Sequence, residues 1–143
     1  MSVKQISVFL ENKEGRLAEV TRVMGENHID ISALSIADTT NFGILRMIVN
    51  DPVKAESILK DHGYAVRITS VLAIAIEDVP GTLSVALETL DKNAIAVEYI
   101  YAFVGKTDSR ALVVLKVSEM DKAKDLLSDA GVCVLEDEEV YKL

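Results

Sequence analysis

The residues that could do chemistry are few and poorly placed for catalysis. His28, His62 and the single Cys133 are the only imidazole and thiol groups in the 143 residues. His28 falls at the exit of one helical stretch and His62 at the end of another, before Gly63, where a donor satisfies C-terminal carbonyls. Cys133 sits between Val132 and Val134 in a short apolar run, a pattern that predicts a small core residue. No Ser/His/Asp or Cys/His set assembles from these groups, and neither a P-loop nor a GxGxxG run is present. The acidic run Glu136–Glu139 has the composition of a solvent-facing strand or tail. No catalytic residues, metal or cofactor are expected.

A different feature occurs twice. The chain runs Leu10-Glu11-Asn12-Lys13-Glu14-Gly15-Arg16-Leu17, and again Ile76-Glu77-Asp78-Val79-Pro80-Gly81-Thr82-Leu83. Each run leaves an apolar strand, turns through glycine and enters a helix. The glycine lets a ligand approach the backbone, and the first-turn N–H groups attract a carboxylate. Those groups lie near Gly15 and Arg16, and near Gly81 and Thr82. Asn12 or Asp78 flanks the turn and suits an ammonium or amide. The pattern describes a trap for a zwitterion, or else a tight strand-to-helix turn. Gly15→Val is expected to block the carboxylate without harming the fold, provided Gly15 has an ordinary negative φ.

These runs belong to a tandem duplication. Gly15 aligns with Gly81 at an offset of 66, together with Glu11 and Glu77, Asn27 and Asn93, and Ile29 and Ile95. Beyond the hairpin the offset is 68, pairing Leu59 with Leu127 and Gly63 with Gly131, so the second copy gains two residues around Gly105–Ser109. Each copy reads strand, helix, strand, strand, helix, strand. Strands are expected at 3–10 and 71–77, hairpins at 30–38 with 42–49 and 96–104 with 109–117, and closing strands at 64–69 and 132–136. The first helices carry Leu17, Val20 and Met24, and Leu83, Ala86, Leu87 and Leu90, with Asn27 and Asn93 as left-handed C-terminal residues. The second helices run from Asp51-Pro52 to Gly63, and from Ser118 with Asp121 as a capping box to Gly131. The fold class is α+β, two ferredoxin-like βαββαβ units with antiparallel sheets and helices on one face, spanning 1–69 and 70–143.

The strands predict a further surface. Strand 42–49 is apolar on both sides, and Val97, Tyr99, Tyr101 and Phe103 are expected on one face of strand 96–104. Sheets apolar on both sides are covered on both sides. A homodimer or larger assembly is the expected cover. A net charge of −8 without a basic stripe disfavours nucleic acid and anionic membrane as partners. The N-terminal MSVKQISVFL lacks a signal-peptide layout, so a cytoplasmic location is expected.

The strand, D-x-P-G-x-L, helix run of copy two, followed by Asn-x-Ile and a second strand, resembles the ACT domain, the amino-acid-responsive regulatory unit of enzymes such as aspartate kinase. The resemblance covers both copies, as a stand-alone pair without a catalytic domain. It implies binding of a free amino acid near the first loop, often where two such units meet through their second strands. Carried over, it implicates Asn12, Gly15, Leu17 and Asp30 in copy one, and Asp78, Pro80, Gly81 and Leu83 in copy two, with Ala96 at the Asp30 position. Copy one departs from the pattern at Glu14, where proline is usual. The implied role is a non-catalytic sensor that signals to a separately encoded enzyme or regulator. The competing role is an assembly subunit with vestigial ligand loops.

Overall fold

The computed structural model describes residues 2–11, 14–38, 42–105 and 110–143. It divides into two compact units, Lys4–Thr69 with Tyr141–Leu143, and Ser70–Val140 with Met1–Val3.

The N-terminal unit contains β1 (Val3–Glu11), α1 (Arg16–Glu26), β2 (Ile31–Asp38), β3 (Phe42–Val49), α2 (Pro52–Asp61) and the opening of β4 (Ala65–Glu77). Its strands lie in the order β2-β3-β1-β4. Antiparallel register sets Ile6 against Met47 and Val8 against Leu45, and Ile36 against Leu45 on the other side of β3. Strand alternation sends Ile6, Val8, Leu10, Leu45, Met47 and Val49 to the helix side, where Val20, Val23, Met24, Ala55 and Leu59 meet them in one core.

The C-terminal unit repeats this plan. It uses the remainder of β4, α3 (Thr82–Lys92), β5 (Val97–Ala102), β6 (Arg110–Val117), α4 (Met120–Asp129) and β7 (Cys133–Val134), in the order β5-β6-β4-β7. Leu72, Ile74, Val113, Leu115 and Val117 face Ala86, Leu90, Ala123 and Leu127. Both units are therefore ferredoxin-like, each an antiparallel sheet with two helices on one face.

Several local expectations are revised. The acidic run is neither strand nor tail: residues 137–141 form a short helix, α5 (Asp137–Tyr141), which anchors through fully buried Val140. Asn27 and Asn93 are not left-handed (φ −101° and −106°). Their side-chain amides donate back to the carbonyls of Val23 and Thr89 at 2.8 Å, and the left-handed residues are the next ones, His28 and Ala94. Ser118 does not cap α4; Glu119 holds that position, because the Ser118 hydroxyl accepts the Ala96 N–H at 3.1 Å. Val97 does not share a face with the tyrosines. A register shift between Val97 and Tyr99 turns Val97 into the helix-side core, whereas Tyr99 and Tyr101 stack on the opposite face with ring centres 6.4 Å apart.

The helix-free faces also differ from expectation. Ala33 and Ile48 in the N-terminal unit, and Ala73 and Val114 in the C-terminal unit, are 0% exposed in the single chain. Their burial does not require a second copy. Within the strands, the exposed large apolar side chains stand on the outermost ones, Leu34 and Ile36 of β2 and Ile100 of β5, and register puts them on the helix side.

Candidate functional site

Both helix entries are built alike. Gly15 and Gly81 stand at the N-caps of α1 and α3 with φ of 84° and 96°, and no side chain caps either helix. Positive φ is the reason glycine occupies both positions. A Cβ at either would have nothing within 4 Å, so the backbone is open to approach. The condition set on Gly15→Val is therefore not met: the site is roomy, but a β-branched residue is strained at this φ. In copy two the Thr82 hydroxyl donates to the carbonyls of Glu77 (2.6 Å) and Val79 (3.0 Å), closing the loop on itself.

Around these entries Glu14, Leu17, Asp78, Pro80 and Leu83 are exposed, while Arg16 and Thr82 are half-buried. Asn12 lies outside the described residues. Asp30 is not brought to Gly15 within its unit. Glu11 pairs with the first residue of β3, whereas Asp30 is tied to Asn50, beyond the last residue of β3, by hydrogen bonds in both directions. A strand of that length separates the two ends by roughly 25 Å. Ala96 and Ser118 occupy the corresponding place in copy two.

The ferredoxin-like order sets the β1–α1 loop at the same end of its unit as the turn from α2 into β4, and a cleft opens between them. In copy one it has a volume of about 360 Å³ and is lined by Phe9, Glu11, Arg16, His62, Tyr64 and the backbone of Gly63. In copy two the equivalent cleft, about 350 Å³, is lined by Glu77, Thr82, Val85, Arg110, Val132 and Cys133, among others. Arg16 is thus matched by Thr82, His62 by Ala130 and Tyr64 by Val132.

The polar groups of the first cleft are interlinked. The Tyr64 hydroxyl donates to Glu19 at 2.5 Å, and Arg16 pairs loosely with the same carboxylate at 3.8 Å. Burial, and then the hydrogen bond to Glu19, push the Tyr64 phenol above its usual range, so it stays neutral. His62 Nδ1 lies 2.9 Å from the Ile58 carbonyl, which commits that nitrogen as a donor and leaves Nε2 for the cleft. In the second cleft Cys133 is exposed, not buried as its flanking valines suggest, and its sulfur lies 3.8 Å from the Arg110 guanidinium. The two-residue strand β7 pairs along one side only and leaves the thiol facing outward.

Sequence reasoning missed Tyr64, Val85 and Arg110. The visible signal was the repeated glycine at 63 and 131, read only as a helix stop. Among the described residues, no group of three His, Cys, Asp or Glu side chains could hold a metal ion, and no helix is long and apolar enough to cross a membrane.

Comparison with known proteins places this geometry. The chain matches protein BT0572 from Bacteroides thetaiotaomicron at 45% identity and a TM-score of 0.93, covering 100% of this chain and 98% of that one. It has the same fold as the ligand-free regulatory subunit of aspartate kinase from Thermus thermophilus, at 14% identity and a TM-score of 0.68, covering 91% of this chain and 93% of that one. The corresponding subunit from Thermus flavus is similar, at 14% identity and a TM-score of 0.65, with 92% of each chain covered. No curated protein matches. The family model for the ACT domain pair matches residues 1–143, and the chain, with its two glycine-capped βαββαβ units, belongs to that family.

Proposed function

We propose that the chain is a non-catalytic regulatory protein that binds a free amino acid and signals to a separately encoded enzyme or regulator in the cytoplasm. The observation that carries this reading is the duplicated helix entry. In both units a left-handed glycine opens the helix without a side-chain cap, beside an open cleft. The first-turn N–H groups after Gly15 and Gly81 receive the ligand carboxylate. Glu14 in one loop, and Asp78 and Pro80 in the other, shape its mouth, and Leu17 and Leu83 offer apolar contact. Asp30, remote from its own loop, completes a site only when contributed by a second copy of the chain. The exposed Leu34 and Ile36 on outer strand β2 are the surface for that homodimer. A fold shared with a protein described as a regulatory subunit of aspartate kinase supports a separate enzyme as the partner.

The same exposed strand residues favour a second reading, an assembly subunit whose loops no longer bind. Calorimetric titration against the common amino acids separates the two. Saturable binding of at least one supports the sensor, and no binding to any leaves the assembly role.

A further inference from the structure

We propose that Arg16, Glu19 and Tyr64 act as a clamp that reports the state of the first helix entry to β4, the strand that runs from the N-terminal unit into the C-terminal one. For what moves the clamp this rests on the amino-acid-binding reading, and it adds how an occupied entry is read. The clamp itself is testable without any ligand.

The three side chains join two places that the backbone leaves apart. Arg16 and Glu19 stand in the first turn of α1, directly after the left-handed Gly15 and with no side-chain cap. Tyr64 closes the turn from α2, where its N–H donates to the Leu59 carbonyl at 3.0 Å, and the next residue, Ala65, opens β4. The Tyr64 ring packs on the N-terminal core while its hydroxyl reaches the helix.

One carboxylate serves two donors, and unequally. The Tyr64 hydroxyl donates to Glu19 at 2.5 Å, whereas the Arg16 guanidinium stands 3.8 Å from the same carboxylate, beyond hydrogen-bond distance. Two arrangements are therefore within side-chain reach. Glu19 is held by the phenol, as here, or it is drawn to the guanidinium and the phenol is released. A ligand moves such a pair only by favouring one member. A carboxylate arriving at the first-turn N–H groups competes with Glu19 for Arg16, and so favours the phenol-held state.

Copy two is the internal control. Thr82, Val85 and Val132 stand at the three equivalent positions and offer neither charge nor phenol. Its closing strand β7 is two residues long and leads only to α5, whereas β4 continues for 13 residues through both units. The clamp is present where the strand runs on and absent where it stops.

The test records amide NMR spectra of the full chain, of Tyr64→Phe and of Arg16→Gln. Tyr64→Phe cannot be phenol-held, and Arg16→Gln removes the competing cation, so the two push the clamp opposite ways. Side-chain rearrangement is fast, so each amide reports the average of the two states. The expected result is that the β4 amides Val71–Ile74, past the unit boundary at Ser70, shift in opposite directions along one line through the wild-type position. The Tyr64 phenol gives a second readout that does not depend on Tyr64→Phe folding: its ionisation midpoint should rise in Arg16→Gln and fall in Glu19→Gln. Shifts confined to Arg16–Val20 and Gly63–Val66 overturn the transmission to β4. Shifts of both variants in the same direction overturn the two-state clamp. Titration with each common amino acid then separates the clamp from the sensor. An amino acid that moves Gly15–Leu17 should carry Val71–Ile74 towards their Arg16→Gln positions, and movement of Gly15–Leu17 alone overturns the clamp. No movement with any amino acid overturns the sensor reading, and the variants then decide the clamp by themselves.

Discussion

The two clefts have the same walls and different surfaces. In both, a strand ends in glutamate (Glu11 or Glu77), a glycine opens a helix, and a second glycine (Gly63 or Gly131) turns the chain back into the sheet. The N-terminal cleft carries a guanidinium, an imidazole and a phenol. The C-terminal one carries a threonine closed on its own loop, Ala130 and Val132 in place of the imidazole and the phenol, and a thiol beside an arginine. Backbone-shaping residues persist in both copies, whereas the cleft-facing side chains differ. The duplicated scaffold thus presents two chemistries on one frame.

That comparison can be tested from its strongest element to its weakest. Leu59 and Leu127 are equivalent and both are 0% exposed at the centre of their cores. Leu59→Ala and Leu127→Ala should each cost about 2–5 kcal/mol, and by similar amounts. Urea unfolding of both variants checks this, and a large inequality would mean that the cores are not equivalent. Gly15→Ala and Gly81→Ala come next. With φ of 84° and 96° and no steric neighbour at either site, each should lose about 1–2 kcal/mol from backbone strain alone. A neutral outcome at one glycine would show that its loop can relax where the other cannot.

Tyr64→Phe should cost about 1 kcal/mol through the lost bond to Glu19. The matching Val132→Phe change has no hydrogen bond to remove. Comparing the two melting temperatures isolates the polar network peculiar to copy one. The smallest effect on stability is expected at Cys133. Because the thiol is exposed, its modification by a maleimide should go to completion in the native protein and change stability by less than about 0.5 kcal/mol. The adduct should nonetheless occupy the C-terminal cleft, so a titration repeated on the labelled protein reports the N-terminal cleft by itself.

The frame was legible in the sequence because its determinants are local. Ile6, Val8 and Leu10 alternate, Leu59 and Leu127 recur at a fixed offset, and Asp51-Pro52 starts α2, where the Asp51 carboxylate accepts the Lys54 N–H at 3.1 Å. Each of these signals lies within one turn or one strand. The polar cluster of Arg16, Glu19 and Tyr64 was not legible, since Arg16 and Tyr64 meet only after the strands of the unit have been ordered. Cys133 misled for a related reason: flanking valines predict burial only in a strand covered on both faces, and β7 is two residues long. Val97 misled because a single-residue bulge reverses the facing of everything before it, and nothing in the local composition marks that residue.

The exchanged ends of the chain have a consequence in time. Tyr141 belongs to the N-terminal unit, where its hydroxyl accepts the Lys4 N–H at 3.0 Å across 137 residues of sequence. Once Thr69 has been made, 72 residues remain up to and including Tyr141. At a synthesis rate of ~5–20 residues per second this takes roughly 4–14 s. Helices and hairpins form in microseconds, so the first unit can reach nearly its whole structure in that interval while still lacking its last contact. The start of β1 is thereby fastened late, by a segment made well after the rest of its unit.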